Sequence, residues 1–204
     1  MSELNATLRL YRSKRVVDVS VAAVALLIAA PFMAVIGFAV RLTSPGPAVH
    51  RALRAGRHGV PFTLYKFRSM RTTAGGSLIT AAGDSRITPI GKVLRATKLD
   101  ELPQLVNVLR GEMSIVGPRP EDLAYVERYT EDQRRILAWR PGLTSPASIE
   151  YRHEETMLGS ADDVETVYKV IADAKLQLDL AYFPASTLRG DIAIMLKTLR
   201  SIVS

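Results

Sequence analysis

The stretch VSVAAVALLIAAPFMAVIGFAV, Val19 to Val40, carries no charge and decides how the rest of the chain must be read. As a helix it is about 33 Å long at about 1.5 Å per residue, slightly more than a hydrocarbon core of about 30 Å. A cleaved signal peptide would have a shorter apolar run and a small-residue cleavage site. Here Arg41 follows directly, then the rigid Ser44-Pro45-Gly46-Pro47. Pro31 sits near the middle. Its ring offers no N–H and clashes with the carbonyl of Leu27, so a kink or break is expected there. Both flanks are basic: Arg9, Arg12, Lys14 and Arg15 precede the segment, and Arg41, Arg51, Arg54 and Arg57 follow it. Positive residues prefer the cytoplasmic side. The residues alone therefore leave two readings, a spanning helix kinked at the proline and a re-entrant helix that returns to the side it entered from, with the spanning one favoured because kinked spans are common.

Outward from this segment, the 204-residue chain is long enough for one domain and marginal for two. Hydrophobic residues make up 48%, which rules out a disordered chain. Without cysteine, disulfides, thiolate metal sites and cysteine nucleophiles drop out. His50, His58 and His153 show no ligand spacing, which argues against zinc. The formal net charge of +7 calls for an anionic partner, such as lipid headgroups, a phosphorylated substrate or nucleic acid, or serves simple solubility.

Ala48 to Met70 has the pattern of a hairpin, turning at Gly56-Arg57-His58-Gly59 and returning through the aromatic PFTLYKFR. Thr72 to Gly83 is small and glycine-rich, a loop. Ile90 to Arg110 is helical in pattern, and Pro103 places a helix start near Asp100. Thr130 to Gln133 matches a capping box for a helix running through Ile136 to Trp139. Asp163 to Tyr182 is a helix with Val164, Val167, Ile171 and Leu178 on one face. Ile192, Met195, Leu199 and Val203 mark a last amphipathic helix, with Lys197 and Arg200 opposite, packed on the core or resting on headgroups. The expected fold class is α+β, mainly helical, with one small antiparallel hairpin. Residues 1–45 form the membrane element and its flanks, and 46–204 a catalytic domain.

Three polar groups could do chemistry. Asp100-Glu101, in KLDELPQL, would face the positive end of a helix, stay ionised and hold a magnesium ion against a diphosphate. An ionised carboxylate can also act as a nucleophile. A plain helix cap explains the same pair. In Gly117-Pro118-Arg119-Pro120, two prolines fix a guanidinium fork suited to phosphate, and an incidental surface turn is the alternative. Lys66 and Arg68 alternate on the aromatic strand, Arg95 lies upstream of the acidic pair, and Arg140 occupies another rigid turn, Arg140-Pro141-Gly142. Singly each is a solvated charge. With the acidic pair they describe a site for a diphosphate and a divalent metal.

The strings KFRSM (Lys66 to Met70), KLDELPQLVNVLRGEMSIVGPRP (Lys98 to Pro120) and RPGLTS (Arg140 to Ser145) resemble the bacterial sugar-transferase family, small monotopic phosphoglycosyl transferases that start glycan assembly on undecaprenyl phosphate. The likeness covers almost the whole chain. It implies a re-entrant N-terminal helix broken at Pro31, interfacial helices, and both helix ends on the cytoplasmic face of the bacterial inner membrane. It implies Asp100 as nucleophile, Glu101 beside it, a Mg2+ requirement, phosphate-binding roles for Arg95 and Arg119, and a UDP-sugar and undecaprenyl phosphate as partners. No nucleic acid is expected, and a homodimer is left open. Three departures stand out. The break is Ala30-Pro31 where the family often has Ser-Pro, and Ala52 replaces a usual glutamine. Pro146 to Arg152 (PASIEYR) replaces a tryptophan-containing sequence in a region that bears on sugar choice. The rival readings are a basic membrane adaptor and an inactive scaffold, and the presence of Asp100, Glu101 and Arg119 argues against the scaffold.

Overall fold

A computed structural model describes the backbone of residues 2–71, 80 and 82–203 and the side chains of 13–71, 80 and 82–201. Most of the glycine-rich loop expected at Thr72 to Gly83 lies outside the described residues. Helix α1 runs from Ser2 to Thr43 with Pro31 inside it. The proline does not divide it into two elements. What it removes is the one donor that would meet the carbonyl of Leu27. A short bent segment, residues 44–48, leads to the hairpin, β1 (Val49–Ala55) and β2 (Pro61–Phe67), paired antiparallel from Val49↔Phe67 to Ala55↔Pro61. Its turn is the Gly56 to Gly59 stretch expected from sequence, with His58 left-handed at φ 59°.

Residues 90–110 are not one helix. Thr88 caps α2 (Pro89–Ala96) through Gly91 N–H, Lys98 adopts φ 57°, and a 3₁₀ turn, Leu99–Glu101, leads to α3 (Gln104–Arg110). A left-handed non-glycine residue ends the run, and such strain collects at functional sites. The chain continues through β3 (Ser114–Val116), α4 (Leu123–Val126) and α5 (Glu131–Arg134), which carries the expected capping box of Thr130 and Gln133. A 3₁₀ turn ends at Ala138, one residue short of Trp139. Then follow β4 (Gly142–Thr144), α6 (Pro146–Glu150), α7 (Glu154–Gly159), α8 (Val164–Tyr182) and α9 (Leu188–Val203). Strands β3 and β4 pair in parallel, a second sheet that the sequence reading did not anticipate. Two expected faces are also corrected. Leu178 is exposed on α8, which buries the expected Ile171 together with Leu176 and Asp179. On α9, Ile194 enters the core and Met195 packs against it, while Ile192, Leu196 and Leu199 point outward.

Helix α1 is fastened to the domain by both arms. Before Pro31, Lys14 Nζ lies 2.5 Å from Asp191 Oδ2 at the start of α9. Arg15 donates to the carbonyls of Val108 and Leu109 at the end of α3. The buried Asp18 accepts from Ser114 Oγ and Ile115 N on β3. After Pro31, Val40 is buried against Phe67 and Leu94, with Met33 and Ile36 beside it. Arg68 Nη2 donates to Ser44 O at 2.6 Å and to Val40 O, satisfying carbonyls at the helix end. Leu102 packs against both clusters, so the two arms meet behind the residue that follows Glu101.

Between the arms the outward face is apolar. Leu27, Phe32, Val35, Phe38 and Leu42 are 64–79% exposed. At about 2 kcal/mol for each side chain removed from water, transferring these five to lipid is worth roughly 10 kcal/mol. The helix is long and apolar enough to cross a membrane.

The open edge of β2 is closed by one side chain. The buried Asn107 of α3 donates from Nδ2 to Thr63 O (2.7 Å) and accepts from Tyr65 N (3.1 Å), as a neighbouring strand would. It also donates to Glu112 Oε2 at 2.7 Å. Asn107→Leu keeps the volume but strands these groups. Unfolding by denaturant should show a loss of about 3 kcal/mol, two or three unmade buried bonds. A loss below about 1 kcal/mol would mean the hairpin is held by packing alone.

Candidate active site

The 3₁₀ turn between Lys98 and Leu102 puts Asp100 inside and Glu101 at its edge. Asp100 is 1% exposed, and neither carboxylate oxygen accepts a hydrogen bond. Lys66 Nζ lies 2.9 Å from Asp100 Oδ2, at ion-pair distance but not aligned as a hydrogen bond, and 3.4 Å from Glu101 Oε1. Lys66 follows Tyr65, whose N–H is held by Asn107, so the amide that closes the β2 edge also sets the lysine against the dyad. A buried carboxylate without hydrogen bonds is costly. Burial pushes the Asp100 carboxyl above its ordinary value, Lys66 pulls it back, and Glu101 adds to the rise. Glu101 goes the other way. Burial raises it, but Lys66, Arg119 and Lys98 outweigh burial and hold it below the usual range. The pair is thus split into one carboxyl raised by burial and one lowered by the cations around it.

The other expected site residues take different places. Arg119 leaves β3 on the Gly117-Pro118 turn, where Gly117 abuts the Arg140 carbonyl so closely that a Cβ would overlap it. Among the described residues, the exposed Arg119 guanidinium makes no hydrogen bond. The carboxylates of Glu101, Glu154 and Glu121 around it favour its charge. It is the cation that links the dyad to what lies beyond. Arg140 sits in the turn before β4, across from Gly117. Arg95 is brought near Asp100, whose charge it favours. Its fork is held by Glu155, at 3.2 and 2.5 Å, a partner that sequence reasoning missed. The close stacking of Gly91 on Ser69, where a Cβ would strike the Ser69 carbonyl, brings α2 and its Arg95 to this strand end. Arg68 is turned into the end of α1 and does not join Lys66, because its buried guanidinium serves the helix carbonyls.

Beyond Arg119 opens a small cleft, lined by the hairpin end, the Pro118 to Glu121 turn, Trp139 and one side of α8. Glu121, Glu154, Lys175, Tyr168 and Asp179 line it, and none was singled out from sequence. Glu154 and Tyr168 carry no motif. Only the fold brings α7 and α8 to this turn.

A match to the bacterial sugar transferase family model covers residues 9–204. The chain belongs to that family. It is 39% identical over 94% of its length to a UDP-glucose:undecaprenyl-phosphate glucose-1-phosphate transferase of Caulobacter vibrioides, spanning 70% of that protein. An Escherichia coli protein of the same description is 38% identical over 91% of the chain. A UDP-N-acetylgalactosamine-undecaprenyl-phosphate N-acetylgalactosaminephosphotransferase of Aeromonas hydrophila is 33% identical over 94%. The chain spans only 39% and 44% of these two longer proteins.

Because Lys66 holds the Asp100 charge against burial, Lys66→Met should move the Asp100 titration to higher pH. Carboxyl ¹³C NMR of the labelled protein reads this directly. A shift to lower pH would mean that Lys66 is not the group stabilising the anion.

Proposed function

We propose that this chain transfers a phosphosugar from a UDP-sugar to undecaprenyl phosphate at the cytoplasmic face of a bacterial inner membrane, the first membrane step of a glycan pathway. As a member of its family it is a sugar-phosphate transferase. The observation that carries the mechanism is Asp100: buried, with both oxygens free of hydrogen bonds and one cation at 2.9 Å. A buried carboxylate with no aligned donor keeps its lone pairs for attack when ionised, and Lys66 favours the ionised form against burial.

In the first step an Asp100 oxygen attacks the β-phosphorus of the donor. The bond from that phosphorus to the oxygen bridging the two phosphates breaks, and UMP leaves with the bridging oxygen. The sugar phosphate is left on the carboxylate as a mixed anhydride. In the second step a phosphate oxygen of undecaprenyl phosphate attacks the same phosphorus and releases the Asp100 carboxylate, giving the polyprenyl-diphosphate sugar. Lys66 and Arg119 lie where negative charge gathers, and Arg119 makes no other hydrogen bond among the described residues. A fork of this kind suits two phosphate oxygens.

The donor set suits Mg2+. Among the described residues no group of three metal-ligating side chains exists, but magnesium is commonly held by one or two carboxylates with water and substrate phosphates. The unclaimed oxygens of Asp100 and the anionic Glu101 would hold it. When bound, it would neutralise charge on the diphosphate.

The two-arm attachment of α1 supports the re-entrant reading. Its Lys14–Asp18 stretch and its Val40–Ser44 stretch both fasten to one domain, as a helix returning to the side it entered from requires. Pro31 and the apolar residues around it then form the deepest part. Cysteines at Ser13 and Thr43 should both react with an impermeant thiol reagent from the cytoplasmic side only. Labelling of Ser13Cys from the periplasm would establish a spanning helix.

The decisive experiment is intact-protein mass spectrometry with a UDP-sugar, Mg2+ and no lipid acceptor. The protein should gain one phosphosugar, mapped to Asp100. Asp100→Asn should lose the adduct and reduce turnover by more than about 10³-fold. Efficient turnover with lipid and no adduct at any time would replace the covalent route by direct transfer.

A further inference from the structure

The cleft beyond Arg119 has a charge pattern that a diphosphate does not need. Lys175 of α8 pairs with Glu154 at the start of α7 at 2.8 Å, and both side chains are more than four-fifths buried. Burial, and then the Arg119 charge, lower the Lys175 ammonium, and Glu154 opposes them. Glu121 accepts from Tyr168 Oη at 3.4 Å. Asp179, 3% exposed, accepts from Ala147 N, and burial pushes its carboxyl up to about 6. Three carboxylates therefore face two cations around an apolar floor that includes Leu137 and Trp139.

A net acidic wall repels phosphate, so this space suits a neutral part of a ligand. Alternating acceptors and donors match a ring of hydroxyls, each able to donate to a carboxylate and accept from an ammonium or guanidinium group. The uracil edge offers one N–H and two carbonyls, and would leave most of the carboxylates unused. The position agrees with the chemistry. Arg119 lines the cleft and also acts on Glu101, so the cleft opens beside the place where the β-phosphorus must sit. The sugar is the part of the donor joined to that phosphorus directly.

We propose that this cleft receives the sugar ring of the donor, and that the Glu154–Lys175 pair, with Glu121, determines which sugar is accepted. The inference rests on the UDP-sugar reading above. It also relocates the expectation for residues 146–152. That segment does not line the cleft. Its α6 buttresses Asp179 from behind through Ala147.

The test uses the full chain in detergent and the variants Glu154→Gln and Glu154→Gln/Lys175→Gln, the double variant leaving no unpaired buried charge. Affinities for UDP, UDP-glucose, UDP-galactose, UDP-N-acetylglucosamine and UDP-N-acetylgalactosamine are measured by calorimetry, with kcat/KM for the four sugars. The variants should bind UDP within about twofold of wild type. They should change the ratio of kcat/KM between the C4 epimers by about tenfold, because a buried polar contact to a hydroxyl is what separates such substrates. They should also lose the added affinity of the preferred UDP-sugar over UDP. Equal weakening of UDP and all UDP-sugars would place the nucleoside here and overturn the proposal. Unchanged sugar ratios and affinities would also overturn it, and leave the pair as a structural link between α7 and α8. If wild type releases no UMP from any of the four sugars with undecaprenyl phosphate, the transferase reading fails instead, while the calorimetry still tests whether the cleft binds the sugar.

Discussion

The meeting of the two α1 arms behind Leu102 is the constraint on which the rest depends. Here the N-terminal arm closes the end of α3 through Arg15 and the edge of β3 through Asp18. The C-terminal arm buries Val40 against Phe67 and Leu94. The turn that carries Asp100 and Glu101 lies directly against Leu102, where these contacts converge. Its height relative to the apolar face of α1 is thereby fixed. Under the proposed function, a soluble nucleotide and a lipid phosphate would meet in the headgroup region, and a site held at that height would let both reach one carboxylate.

The electrostatics follow the same economy. Interiors tolerate a charge when donors surround it, and an unsatisfied one is costly. Asp100 violates this rule, and among the described residues Lys66, at 2.9 Å, compensates it most closely. Glu101, at the edge, is compensated by Lys66, Arg119 and Lys98. The contrast has a geometric origin. The 3₁₀ turn points one carboxylate inward and the next outward, and the left-handed Lys98 is the backbone cost of starting that turn there. Such local conflicts with stability are expected where a site does chemistry.

Much of the fold was legible because its signals are local. The hairpin announced itself by Gly56 to Gly59 and an aromatic return strand, and the capping box of Thr130 and Gln133 formed as read. The dyad, Lys66 and Arg119 came from motifs, and the structure does place Lys66 against both carboxylates. What failed was non-local. Strands of three residues, β3 and β4, have no readable period and exist only because they pair across the chain. The burial of Asp18, Asn107 and Asp179 reverses their intrinsic preference for water, through partners far away in sequence. Arg68 shared a strand face with Lys66 on paper, but the nearer demand of helix-end carbonyls took it. Sequence order also could not bring Glu154 and Lys175 to the Arg119 turn.

The outward faces complete the orientation. On α9 the exposed Ile192, Leu196 and Leu199 recur at helical spacing, with the exposed Lys197 and Arg200 beside them. Lys14 ties the N-terminal arm of α1 to Asp191, at the start of this helix, and Tyr182 Oη donates to the other oxygen of the same carboxylate. An apolar stripe flanked by cations lies well at a headgroup boundary, and α1 presents a deeper apolar face. One ion pair therefore couples the long apolar α1 to the amphipathic α9. The proposed membrane placement thus draws on two helices, the long apolar α1 and the cation-flanked stripe of α9.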